Sequence, residues 1–258
     1  MTIHDALHYT HAQRSRIISS YPKHSRDARA LGIPAIGEGA IFPIADDDLV
    51  VKPFPIPAHW LRLGGLDFGW DHPTAAIEMV LDPDARVYYV TKEYREREKL
   101  PIQHVSRLKD WGLRLPFAWG LEGLQTKLSE DPQQTQKLFR KHGLTMLIDH
   151  ATFHDGGVGV ERGLMEMLDL MEKGQFKIFN TCRLVIEEKS TYHRKRRSAD
   201  GVATVVKVHD DLMDAMRYSY MMMRKAVTLM VMQRIGTTAT GRTRYGNARD
   251  PRDIFGGR

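Results

Sequence analysis

Three apolar runs follow one another with short links between Leu61 and Tyr94, and nothing else in the 258 residues constrains the fold as strongly. Their alternation predicts strands over residues 62–68, 75–81 and 87–94. The first run ends in Asp67, after which Gly69 and Pro73 break the backbone. The second link, Asp82-Pro83-Asp84, is a turn with a physical cause: proline presets φ and the aspartate bonds nearby amides. Links this short join antiparallel neighbours, so the expectation is a three-strand meander.

Beyond it the periodicity changes. A helix is predicted over 101–111, with Pro101 at its first position and Ile102, Val105 and Leu108 on one face. A short buried strand at 116–120, a helix at 132–142, a strand at 144–148 and a helix at 159–173 follow. A further helix ends near Tyr192, a hairpin spans 194–208, and a last helix starts at Asp210. The expected fold class is therefore α/β, a mixed sheet of antiparallel meander plus parallel strands with helices on both faces. Residues 1–60 read as an extension, 61–233 as the domain and 234–258 as a flexible basic tail. Within the extension, Asp46-Asp47-Asp48 reads as a solvated turn.

Composition excludes several classes. The single Cys182 rules out an internal disulfide, and no Cys/His spacing suggests structural zinc. The N-terminus lacks a signal-peptide pattern, and the most apolar stretch, 212–232, is interrupted by Asp214, Arg217, Arg224 and Lys225. An intracellular protein that does not enter a membrane is expected. The net charge of +6 favours a polyanionic partner, and it concentrates in Lys189–Arg197 and after Arg234.

The acids carry the chemistry. A lone carboxylate at a buried strand end is costly unless hydrogen-bonded or bound to a cation. Asp67 holds such a position. Glu122 follows the Phe117-Ala118-Trp119 strand between Gly120 and Gly123, which permit a sharp turn. Asp211 and Asp214 share one face at the start of the last helix. Each has an ordinary alternative as a cap, turn or loop acid. Together, on separate elements of one sheet, they form an oxygen-ligand set suited to Mg²⁺ or Mn²⁺.

Gly65–Ala76, Gly163–Leu168 and His209–Tyr218 resemble the nuclease portion of tailed-bacteriophage terminase large subunits, in a colinear match running from about Ile33 to Ala226. The resemblance implies a ribonuclease-H-like fold and a metal-dependent endonuclease that cuts concatemeric viral DNA during packaging. Asp67 matches the family's first-strand acid and Asp211 its last, with Asp214 auxiliary. Glu122 falls where relatives carry an acid, and Asp149 is the reserve for that position. Two ions about 3.5–4 Å apart would then serve an in-line displacement. Lys189, Arg194, Lys195, Arg196 and Arg197 would grip the phosphate backbone of double-stranded DNA without reading sequence. Small-subunit and portal-protein partners and the cytoplasm of an infected bacterium are implied as well. The family's ATPase motor carries a Gly-x-x-x-x-Gly-Lys-Ser/Thr loop that nothing here matches. The expectation is the nuclease part alone. The rivals are a non-catalytic DNA-binding or docking module, an actin-like sugar kinase suggested by Asp67-Phe68-Gly69 with Thr74, and a resolvase or transposase of the same fold.

Overall fold

The computed structural model describes Thr10, Gln13 and residues 39–112, 114–124, 134–195, 205–206 and 210–229. Its elements run α1 (Asp46–Leu49), β1 (Val50–Val51), β2 (Leu61–Asp67), β3 (Thr74–Asp82), β4 (Val87–Glu96), α2 (Pro101–Lys109) and β5 (Phe117–Trp119). A 3₁₀ turn (Leu121–Leu124) leads to α3 (Thr135–Lys141), α4 (Val160–Glu172), β6 (Phe176–Phe179), α5 (Arg183–Thr191) and α6 (Asp211–Met222). A second 3₁₀ turn (Met223–Lys225) and β7 (Val227–Thr228) close the described chain.

The seven strands form one sheet in the order β1-β6-β4-β3-β2-β5, with β7 also beside β2. The meander is present: β2 pairs antiparallel with β3, and β3 with β4. β5 adds parallel to β2, and β6 parallel to β4. Such a sheet must bury both faces. Leu63, Ile77, Met79 and Val90 pack with Leu164, Met167, Val185, Leu212 and Met216 of α4, α5 and α6. Leu66, Ala76, Phe117 and Trp119 pack on the other face with Val105, Leu108 and Phe139 of α2 and α3.

Three differences from the sequence reading matter. The domain begins before residue 61, because Ile41 and Phe42 are buried in the larger core and the Ile41 amide donates to the Tyr192 carbonyl at 3.0 Å. Val50 and Val51 extend the sheet beside β6. A strand at 176–179, unanticipated, fills the gap between β1 and β4. The strand expected at 144–148 reduces to one bridge, Phe117 to Met146, since this segment bonds the edge of β5 irregularly. An antiparallel bridge from Arg194 to Val205 forms the base of the expected hairpin, whose turn lies outside the described residues, as does the C-terminal tail.

Candidate active site

Strand parity brings Asp67 to the site. Leu63, Gly65 and Asp67 are spaced two apart on β2 and share the face that α6 covers. A Cβ on Gly65 would stand 1.9 Å from the Ala215 carbonyl oxygen. Only glycine fits there, so Gly65 sets how closely the helix approaches the strand. The Ser219 hydroxyl, one turn on, donates to the Leu63 carbonyl at 3.2 Å.

Glu122 arrives from the neighbouring strand. Leu66 lies opposite Trp119 in the parallel β2–β5 pair, so both strands end at the same edge. A Cβ on Gly120 would meet Glu122 Oε1 at 2.1 Å and the Tyr218 ring at 2.4 Å. The missing side chain lets Glu122 fold back across the strand end. Its Oε2 accepts from the Tyr218 hydroxyl at 3.3 Å, whereas Oε1 is buried and receives no N–H or hydroxyl hydrogen bond.

The carboxyls of Asp67 and Glu122 lie within hydrogen-bond reach of each other. Burial first, then the charges of Glu122 and Asp214, hold Asp67 well above the usual carboxylate range. Burial also raises Glu122. Two desolvated carboxylates in contact cannot both stay ionised without a counter-charge. A shared proton is one solution and a bound cation the other.

These acids line a cleft of about 320 Å³ together with Asp214, Arg217 and Tyr218 of α6, walled by Leu121, Ala151, Val158 and Val160. Asp214 Oδ1 accepts from Arg217 Nη2 at 2.8 Å and Nε at 3.2 Å. Burial, the largest single effect, opposes the Arg217 charge, but Asp214 together with Tyr218 and Tyr192 holds the guanidinium above its ordinary value. Gly163 of α4 lets that arginine in, since a Cβ there would lie 2.9 Å from Arg217 Cγ. Asp211, expected as the main acid of this helix, sits one turn earlier, raised by burial and then by Asp210; its charge is felt at Asp67, but it is Asp214 that lines the cleft. Among the described residues, no three His, Cys, Asp or Glu side chains are grouped as a ready-made metal cage. Asp214 is turned to Arg217 instead.

The remaining expected residues separate. Asp149 is exposed and does not line the cleft. Lys189 is a correction: it is buried, and its ammonium donates to the Ile44 carbonyl at 2.8 Å and to Asp46 at 2.7 Å. It anchors the 39–51 segment, and Asp46 is thus no merely solvated turn residue. Arg194 pairs with Glu161 at 2.6 Å and Lys195 is exposed, while Arg196 and Arg197 lie outside the described residues.

Sequence reasoning missed Arg217, Tyr218 and Glu188 as parts of the site. An acid followed three residues later by arginine on a helix was the available signal for the first. Glu188 had none, because its partners are remote. Its Oε1 accepts from the Leu212 and Met213 amides at 2.7 and 3.0 Å, and Oε2 from Arg95 at 2.8 Å. Burial pushes Glu188 up to about 7 against the pull of those donors.

A mixed sheet of this order, with acids delivered to one edge by two parallel neighbours and a crossing helix, defines a ribonuclease-H-like nuclease domain. The chain belongs to the terminase RNase H-like domain family, whose model matches residues 64–223. It is 43% identical over 226 residues to the terminase large subunit of Salmonella phage P22, covering 88% of this chain and 44% of that one. The large subunit of Enterobacteria phage LP7 is equally similar, 43% over 222 residues, covering 86% and 46%. The chain thus spans less than half of these relatives. The solved nuclease domain of the P22 large terminase superposes with a TM-score of 0.70 at 38% identity, covering 77% of this chain and 99% of that one. The solved large terminase of a thermophilic bacteriophage shares the fold, with a TM-score of 0.54 at 20% identity over 84% of this chain and 53% of that one. Membership of the terminase family displaces the sugar-kinase reading. No helix among the described residues is long and apolar enough to cross a membrane.

Proposed function

We propose that this domain is a divalent-metal-dependent endodeoxyribonuclease that cuts concatemeric viral DNA during genome packaging. The carrying observation is the Asp67–Glu122 contact at the shared end of two parallel strands, with Asp214 of α6 in the same cleft. The donor set fits a hard cation: oxygens only, partly desolvated, with Glu122 Oε1 lacking a protein donor. Asp67, Glu122, Asp211 and Asp214 would hold Mg²⁺ or Mn²⁺, two ions in the full scheme. When bound, such ions lower the pKa of an attacking water and stabilise the leaving oxygen.

The chain's own residues prepare that arrangement. Asp67 and Glu122, which cannot both stay ionised in this desolvated site without a counter-charge, would hold the cation once their protons have passed to water. Tyr218 fixes Glu122 through its hydroxyl. Arg217 steadies Asp214 and balances the charge of the acids around it. Arg194 and Lys195, with Arg196 and Arg197, hold the phosphate backbone of double-stranded DNA, a contact without sequence preference. Phosphate would replace Glu161 on Arg194. Cut placement would then come from a small subunit and a portal protein, and strand movement from an ATPase motor. The Asp214–Arg217 pair favours one second reading, a DNA-docking module that does not cleave.

Incubation with supercoiled plasmid across a Mg²⁺ and Mn²⁺ series tests the proposal. Nicking that EDTA abolishes is expected. DNA binding with no cleavage at any metal concentration would assign the docking role instead.

A further inference from the structure

The acid-bearing end of α6 is held from outside its own sequence. An α-helix leaves its first amides without intrahelical partners, and a carboxylate placed against them both satisfies those donors and complements the helix dipole. The Asp210 side chain makes no cap hydrogen bond to the helix. The carboxylate comes from Glu188 of α5, which spans the amides of Leu212 and Met213. Those residues lie between Asp211 and Asp214.

Glu188 is in turn fixed from the sheet. Its second oxygen takes Arg95 of β4 at 2.8 Å. Glu93, two residues earlier on the same strand, accepts the Leu184 and Val185 amides at 3.1 and 2.8 Å and so holds the start of α5. Both side chains face the helices because the β3–β4 register shifts between Glu78 and Met79, leaving Thr91 as an extra residue. With that bulge, Val90, Glu93 and Arg95 all lie opposite residues of the same core face, namely Met79, Ile77 and Ala75. Strand β4 thus holds α5 through Glu93, and α5 holds α6 through Glu188.

We propose that Glu188 is a positioning residue for the nuclease site, setting the rotation and depth of α6 so that Asp211 and Asp214 face Asp67. This inference rests on the metal-dependent reading of the acids. Glu188 touches neither substrate nor reacting atoms. It works by fixing two backbone amides between two carboxylates, with Arg95 as its orienting partner. A carboxylate buried to 1% exposure, with both oxygens engaged by groups on two other elements, is poorly replaced by any other side chain.

The test compares Glu188→Gln and Glu188→Ala with the wild-type chain in three measurements made without DNA: melting temperature, amide exchange of a peptide covering 211–214, and calorimetric Mn²⁺ affinity. The glutamine variant keeps an acceptor oxygen and should stay folded. It is expected to exchange faster at the start of α6 and to bind Mn²⁺ about tenfold more weakly, with alanine worse on both counts. A folded Glu188→Gln chain with wild-type exchange and wild-type affinity overturns the proposal, as does a lowered melting temperature with affinity unchanged. If the wild-type chain takes up no Mn²⁺, the metal reading fails. The exchange rate then decides the cap by itself: wild-type protection in the glutamine variant overturns it, and lost protection supports it.

Discussion

Asp214 and Arg217 form a buried ion pair within one turn of α6, with the guanidinium Nη2 2.8 Å from Asp214 Oδ1. Both side chains are at most 10% exposed. Among the described residues that line the cleft, the pair puts the one guanidinium beside an acid of the candidate nuclease site.

Removing that guanidinium should therefore be costly. Breaking a buried pair by deleting one partner typically costs about 3–5 kcal/mol, because the other charge is left uncompensated. Arg217→Gln is expected to lower the melting temperature in EDTA and to recover part of the loss in Mn²⁺. Differential scanning calorimetry with and without metal measures both. An equal loss under the two conditions would show that the acids do not share a cation with Asp214.

Neutralising Asp67 should do the reverse. Its folded-state pKa is raised, by burial first and then by Glu122 and Asp214. Above the ordinary carboxylate pKa the unfolded chain releases this proton while the folded chain retains it. Stability therefore falls as pH rises from that ordinary value through the raised one. Asp67→Asn removes this penalty and should melt higher than wild type in EDTA at neutral pH, by about 2–4 °C for each kcal/mol gained. The same variant should lose cleavage. Higher stability together with lost activity is the expected signature of a strained acid cluster.

Gly120→Ala tests the geometry of Glu122. Its Cβ would overlap Glu122 Oε1, so the acid must swing away while β5 remains paired. Misplacement of a reacting group by about 1 Å can cost on the order of 100-fold in rate. Metal-dependent nicking should fall by about that factor with circular dichroism unchanged. Gly65→Ala should behave differently. The obstacle there is the Ala215 backbone, which cannot rotate aside, and the expected result is loss of soluble folded protein.

A pH effect away from the site is expected from His104, which bonds the Tyr94 hydroxyl at 2.7 Å and stacks on Phe139. Burial pushes its pKa down to about 4. Between about 6.5 and 4 the unfolded chain binds a proton that the folded chain does not, so stability drops as pH falls through that window. The slope from this one group is at most about 1.4 kcal/mol per pH unit. His104→Phe should flatten the acid limb of a melting-temperature profile, and an unchanged limb would contradict the assignment.

What the sequence made legible follows from range. The meander could be read because each strand alternates and each link is local, and Asp67 could be placed because it ends the first of them. Asp211 and Asp214 were visible as a helical pair. The apolar pieces at 40–44 and 49–51 read as short strands, but their partners did not, since these are Tyr192, Ile178 and Phe179, far along the chain. Lys189 reads as part of a basic run until Ile44 and Asp46 are seen to enclose it. Four residues after a glycine give β6 too little pattern to register. Glu188 is the sharpest case. A helix cap supplied from another element leaves no trace in the capped helix's own sequence.

The most direct measurement is the rate of plasmid nicking by the wild-type chain and by Asp67→Ala and Glu122→Ala, side by side in Mn²⁺ and in EDTA. Cleavage by the wild type is predicted in Mn²⁺ alone, with a loss of at least about 100-fold in each variant, as expected when a ligand to a catalytic ion is removed. Nicking by either variant at the wild-type rate would contradict a metal site built on these two acids.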